Sequence, residues 1–172
     1  MNIPSEIVAK VVAFHGHHCP GLSIGIRAGM WARETFGTAY DEEIVLLTET
    51  DMCGVDALQV LLGTTFGKGN LVFHDYGKVA FSIYRRRDGK KVRLIYRTHP
   101  ADKNLTREQR VEKIMTAAFD DLFIVGEPLE EVPPLARIHQ SLPCRMCGEN
   151  VMATRLVEGL CIPCSQKIHD QH

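Results

Sequence analysis

Long hydrophobic runs are missing from this 172-residue sequence; the longest, at 44–47 and at 58–62 (interrupted by Gln59), are far too short to span a bilayer. A surplus of one charge is missing too. Lys and Arg number 20 against 21 Asp and Glu, so the net charge of −1 carries no general attraction for nucleic acid or a membrane surface. The opening residues MNIPSEIVAK lack the basic segment and long apolar stretch of a secretory signal, and a cytoplasmic protein is expected. There are no internal repeats and no low-complexity tracts. A Walker A loop is absent as well. In GTTFGKGNL only three residues separate Gly63 from Gly67-Lys68, and Gly69 stands where the hydroxyl residue belongs.

What remains is an ordinary globular composition, 45% hydrophobic and 24% charged, with six cysteines. In a reducing compartment these read as ligands or reactive thiols, not disulfides. Apolar spacing predicts a helix over 5–14 ending at Gly16, and a second over 22–36. Gly25 and Gly29 of the second, four residues apart, mark a close approach to another backbone. A buried strand is expected at 43–49, and a short helix after Cys53 closed by Gly63. Strands follow within 70–77, 79–87 and 90–98, with Asp88-Gly89 as a hairpin turn. A long helix is expected over 106–123, opened by a capping box of Thr106 and Gln109. The order of elements makes the fold α+β, an antiparallel sheet with packed helices. Three prolines in EEVPPLARIHQSLP mark a connector, giving a core over 1–136 and a linker plus a small unit over 137–172.

That small unit contains C-x2-C, thirteen residues, then C-x2-C: Cys144, Cys147, Cys161 and Cys164. Paired knuckles of this spacing fit a tetrahedral four-thiolate zinc site, which is structural because no coordination position stays open. A unit of this size has too little core to fold without metal. Three basic residues (Arg145, Arg155, Lys167) offset three acidic ones (Glu149, Glu158, Asp170), so the unit reads as a packing or docking module and not a DNA reader.

The other constellation is FHGHHCPGL. His15, His17 and Cys19 alternate and can converge on one point from an extended loop, with His18 facing away. Such a set suits zinc, nickel, copper or iron. Cys53, in TETDMCGVDALQ with Glu49, Asp51 and Asp56 around it, also lies just before a helix, where thiolates are stabilised; on its own it reads as a small buried hydrophobe. Lys68, and His74, Asp75, Tyr76 and Lys78 of HDYGK, are further candidates that read equally well as surface groups. The basic tip RRRDGKKVR reads as a solvated turn.

Together, HGHHCPGLSIGIRAG, CGVDALQVLLGTTFGKGNLVFHDYGKVAF and the four-cysteine unit resemble the FmdE family, which takes its name from a component of formylmethanofuran dehydrogenase. The resemblance implies an α+β core with a metal-capable cleft, a treble-clef zinc finger, a homodimer, and association with a molybdenum- or tungsten-dependent oxidoreductase of methanogenesis. It implies cleft ligands His15, His17, Cys19 and Cys53, with Lys68 and Asp56 nearby, and zinc, nickel or iron as the second metal. His18 falls at a variable position. Nothing in the chain resembles pterin or iron–sulfur binding. Three roles are therefore expected, in this order: a metal-binding accessory protein; a stand-alone metal- or thiol-dependent enzyme acting on a small C1 or carbonyl substrate, with Cys19, Cys53, Lys68 and Asp56 as catalytic candidates; and an interaction module docking through the finger.

Overall fold

The computed structural model describes residues 3–37 and 40–169, which fall into two compact units, Met1–Leu135 and Ala136–His172. In the first, α1 (Ser5–His15) and α2 (Pro20–Phe36) precede β1 (Ile44–Thr48), α3 (Gly54–Leu62) and β2 (Leu71–Phe73). The hairpin β3 (Ala80–Arg85) and β4 (Lys90–Tyr96) follows, then α4 (Arg107–Thr116), α5 (Phe119–Leu122) and β5 (Phe123–Gly126). The sheet order is β2-β1-β3-β4-β5. The fold is mixed α+β as expected, with one refinement: β2 pairs parallel with β1 through the α3 crossover, and the other three pairings are antiparallel.

Period-2 alternation sorts the strands. Ile44, Leu46, Phe81, Ile83 and Leu94 point to the helices, where they bury Ile24, Ala28 and Phe36 of α2. Val45, Leu47 and Tyr84 point to the other face. The proline-rich stretch crosses near that face without becoming a strand. Tyr84 Oη donates to the Glu130 carbonyl (3.0 Å), and Arg86 donates to the carbonyls of Pro133 (2.7 Å) and Pro134 (3.2 Å). Prolines have no N–H for a ladder, so their carbonyls are taken up by a side chain instead.

Helix α2 is buried along most of its length because it packs between α3, α4 and the sheet. It begins two residues before its apolar stripe, with Pro20 in the first turn, where its missing N–H costs nothing. The predicted close approach is to α3. A Cβ placed on Gly25 would lie on the Gly54 carbonyl oxygen and 2.5 Å from Gly54 Cα. One turn on, a Cβ at Gly29 would stand 2.6 Å from Leu61 Cδ1.

The long helix expected over 106–123 is interrupted. The capping box of Thr106 and Gln109 opens α4 as predicted, but the helix stops at Thr116, and β5 follows a single turn of α5. The cause lies on α2. The fully buried Arg27 guanidinium donates to the carbonyls of Ile114 (2.8 Å), Met115 (2.9 Å) and Ala117 (2.7 Å), replacing the next turn's N–H groups. A second buried cation, Arg93, is held by both oxygens of Glu49 (2.6 and 2.8 Å).

Gly25→Ala is predicted to destabilise the protein by at least about 3 kcal/mol in urea unfolding, since the obstruction is backbone and no rotamer relieves it. Gly67→Ala, with nothing within 4 Å of the new methyl, is the control and is expected to stay within about 0.5 kcal/mol of wild type.

Candidate functional site

His15 closes α1, and Gly16 in the left-handed region (φ +96) turns the chain. Extended backbone at Cys19 then makes that residue the N-cap of α2, where its sulfur accepts the Leu22 N–H at 3.3 Å. His18 turns aside: its Nε2 meets Ser23 Oγ at 2.9 Å, and burial pulls its pKa down. The ligand atoms of His15, His17 and Cys19 all lie within 4.8 Å of one another.

The His15 ring is bound at both edges. Nδ1 lies 2.7 Å from Asp56 Oδ2 on α3, and Nε2 faces Cys19 Sγ at 4.0 Å. Ligands 2.1 and 2.3 Å from one tetrahedral metal would be about 3.6 Å apart, so the nitrogen and sulfur stand nearly at metal-sharing distance. Cys53, N-cap of α3, lies against Gly21 of α2: a Cβ on Gly21 would sit 3.3 Å from Cys53 Cβ. Burial raises the Cys53 pKa, and the neighbouring Cys19 thiol raises it further. Cys53 thus adjoins Cys19, outside the three-residue group.

The structure brings His15, His17, Cys19, Cys53 and Asp56 to one end of α3. Lys68 is at the other end: its ammonium caps the Gly63 carbonyl, about 13 Å away along a nine-residue helix. Glu49 is committed to Arg93, and Asp51 is exposed. His74 pairs with Glu130 (2.9 Å), and the Lys78 ammonium lies 5.8 Å from the centre of the exposed Tyr76 ring. Asp75 is exposed at the surface. Much of the basic tip is tied down, with Arg85 on Asp88 and the Phe36 carbonyl, and Lys90 on the Thr35 carbonyl (2.6 Å). The sequence named Asp56 without its partner, because a contact across 41 residues leaves no local signal.

In the second unit, β6 (Ser141–Pro143) pairs with β7 (Asn150–Met152), β8 (Leu156–Val157) pairs with β9 (Leu160–Cys161), and α6 (Ile162–His169) ends the described chain. Cys144 and Cys147 lie in the β6–β7 turn, and Cys161 and Cys164 at the β9–α6 junction. The four sulfurs converge within 4.8 Å, forming a group able to hold a metal ion. Cys147 Sγ and Cys161 Sγ are 3.9 Å apart, against about 3.8 Å for two thiolates on one tetrahedral zinc. The N–H groups of Cys147 and Cys161 pull Cys144 down to about 6, while the Cys161 thiol, burial and the other thiols push Cys164 up to about 12. Four thiolates cannot coexist there without a cation to neutralise them.

An α+β domain with a Cys/His cluster between helix ends, joined to a four-cysteine unit, is thus the class of protein defined. Residues 14–124 match the family described as "FmdE, Molybdenum formylmethanofuran dehydrogenase operon", and the chain belongs to that family. A crystal structure of a tungsten formylmethanofuran dehydrogenase FmdE-like protein from Syntrophus aciditrophicus is similar, with a TM-score of 0.70 and 26% identity over 95% of this chain and 92% of that one. A probable S-adenosyl-L-methionine-binding protein from Archaeoglobus fulgidus is 28% identical over 94% of this chain and 53% of its own length. The chain therefore spans about half of that curated relative. No described helix is long and apolar enough to cross a membrane.

Acid should weaken metal binding by the finger. The Cys144 thiolate, with its depressed pKa, is lost as pH falls through about 6, so one further proton is released per metal bound below that point. In competition titrations with a chelator, the slope of log affinity against pH is expected to steepen below about 6. An unchanged slope would count against this protonation order.

Proposed function

We propose that this is a metal-binding FmdE-family protein. Its core carries one transition-metal ion on His15, His17 and Cys19, and its finger carries a structural zinc on Cys144, Cys147, Cys161 and Cys164. We further propose that it acts as a cytoplasmic homodimer, accessory to a molybdenum- or tungsten-dependent oxidoreductase. The carrying observation is the convergence of His15, His17 and Cys19, with Nε2 of His15 turned to the sulfur. Imidazole and thiolate donors suit zinc, nickel or iron, and the Cys53 thiol adjoins the three as a further candidate ligand. An ion held by three such donors has a position open for water or substrate and supplies Lewis acidity there. Location supports a functional reading. Cys53 lies in the loop after β1, at the carboxyl end of the parallel β1–β2 pair, where α/β sheets receive ligands. The finger exposes Met146, Met152 and Ile162, apolar groups suited to docking a partner protein.

Purified protein is expected to contain two metal equivalents by elemental analysis, and Cys19→Ser one. A single equivalent in the wild type, unaffected by that substitution, would overturn the proposal.

The line Asp56–His15–Cys19 favours a second reading, a thiol-dependent enzyme acting on a small carbonyl compound. Cys19 would be the nucleophile at a helix N-terminus, His15 the base and Asp56 its orienting acid. This arrangement leaves His17 without a role, which is why it ranks second. For the metal-free protein it predicts rapid iodoacetamide alkylation of Cys19 at neutral pH, slowed at least about tenfold by His15→Ala. Equal rates in the two proteins would dismiss it.

A further inference from the structure

We infer that Asp56 is the positioning residue of the core cluster: its carboxylate sets the tautomer and direction of the His15 ring, leaving Nε2 to face Cys19 and a metal ion. This rests on the metal-binding reading above. An ionised carboxylate only accepts hydrogen bonds, so at 2.7 Å from Oδ2 it is His15 Nδ1 that carries the hydrogen. The lone pair of a neutral imidazole is then on Nε2, the nitrogen 4.0 Å from Cys19 Sγ. Asp56 cannot ligate the same ion, because the hydrogen-bonded edge of the ring and the Nε2 lone pair point in different directions. It acts through His15.

Its location suits the task. Asp56 lies in the first turn of α3, and its N–H meets the Cys53 carbonyl at 3.2 Å. One helix start therefore places both Cys53 and the group that aims His15. His15 ends α1, so the contact fixes the angle of a ring whose backbone is about to leave the helix at Gly16. A purely structural ion pair between α1 and α3 would give the same distance, but the Asp56 side chain is 37% exposed, and a pair with its carboxylate open to water adds little to folding. Carboxylate partners of metal-binding histidines act instead on metal affinity, by about 10–100-fold.

The test uses the full chain, stripped of metal and titrated with zinc and cobalt(II) against a chelator. Asp56→Asn is expected to weaken one equivalent by about 10–100-fold and leave the finger's equivalent and the melting temperature of the metal-free protein at wild-type values. Asp56→Glu should restore part of the lost affinity. Long-range nitrogen–proton spectra should show His15 with its hydrogen on Nδ1 in wild type, and that preference reduced in Asp56→Asn. Wild-type affinity in Asp56→Asn, with Cys19→Ser losing the equivalent, would overturn the role of Asp56 alone. Equal weakening of both equivalents together with a lowered melting temperature would make Asp56 merely structural. If Cys19→Ser kept both equivalents, the metal-binding reading itself would fall.

Discussion

The contact of backbone on backbone between α2 and α3 is the constraint from which the rest of the core follows. Gly21, Gly25 and Gly29 recur every fourth residue and so form one stripe of α2, against which Cys53, Gly54 and Leu61 of α3 lie. Two helices with ordinary side chains at the crossing would stay about 8–10 Å apart. Here a Cβ at Gly54 would stand 2.9 Å from the Gly21 carbonyl oxygen and 3.1 Å from the Gly25 nitrogen, so both starts of helix are drawn together. Cys19 caps one helix and Cys53 the other. Their sulfurs are neighbours because glycine removed the side chains that would have separated them. The cost is the backbone entropy that glycine loses on folding, and the apolar packing of Leu22, Ile26 and Met30 against Ala57 and Leu61 offsets it.

The same economy appears in the buried charges. Arg27 is 2% exposed and gives its donors to three carbonyls at the end of α4, so a cation replaces the helical turn that would have followed. Arg93 and Glu49 face each other with matched pairs of atoms at the end of β1 where the Cys53 loop begins. Removing one partner of such a pair strands a charge in the interior, a loss of about 3–5 kcal/mol. Both devices hold chain ends in place: one fixes where α4 stops, the other anchors β1 just before it releases into the site loop.

What the sequence made legible was local. The stripe of α1, the capping box at Thr106, the Asp88-Gly89 turn and the paired cysteine knuckles each depend on residues within a few positions of one another, and all are visible in the string of letters. The glycine spacing of α2 announced a close approach without naming the helix that would make it. What stayed hidden was set by distance along the chain. The periodicity over 106–123 is continuous, and only a guanidinium 90 residues upstream of Ala117 ends α4 early. The parallel pairing of β2 with β1 depends on the α3 crossover, which three strand residues cannot signal. At the site, residue types gave His15, His17 and Cys19, but Lys68 shares their motif-rich neighbourhood while its ammonium serves the far end of α3. Asp56, a less prominent letter, touches His15 directly.

The two cysteine-containing clusters differ in a way that bears on what each can do. In the finger, four like donors converge from two tight turns, and the unit has little apolar core beyond Val151 and Leu160 around the sulfurs. A metal ion held there would supply free energy that so small a core lacks, and a closed site would serve that purpose. The core cluster sits on helices held together by apolar packing in which Cys19 itself is buried and against which Cys53 lies. Its donors are unlike one another, two imidazoles and a thiol, with a second thiol alongside, and His17 is exposed to solvent. On the proposed reading, a site whose scaffold is packed independently, that is open on one side and that has a carboxylate behind His15 suits an ion that exchanges or reacts. On that reading the finger serves as scaffold, and the junction of α1, α2 and α3 is the candidate place of function.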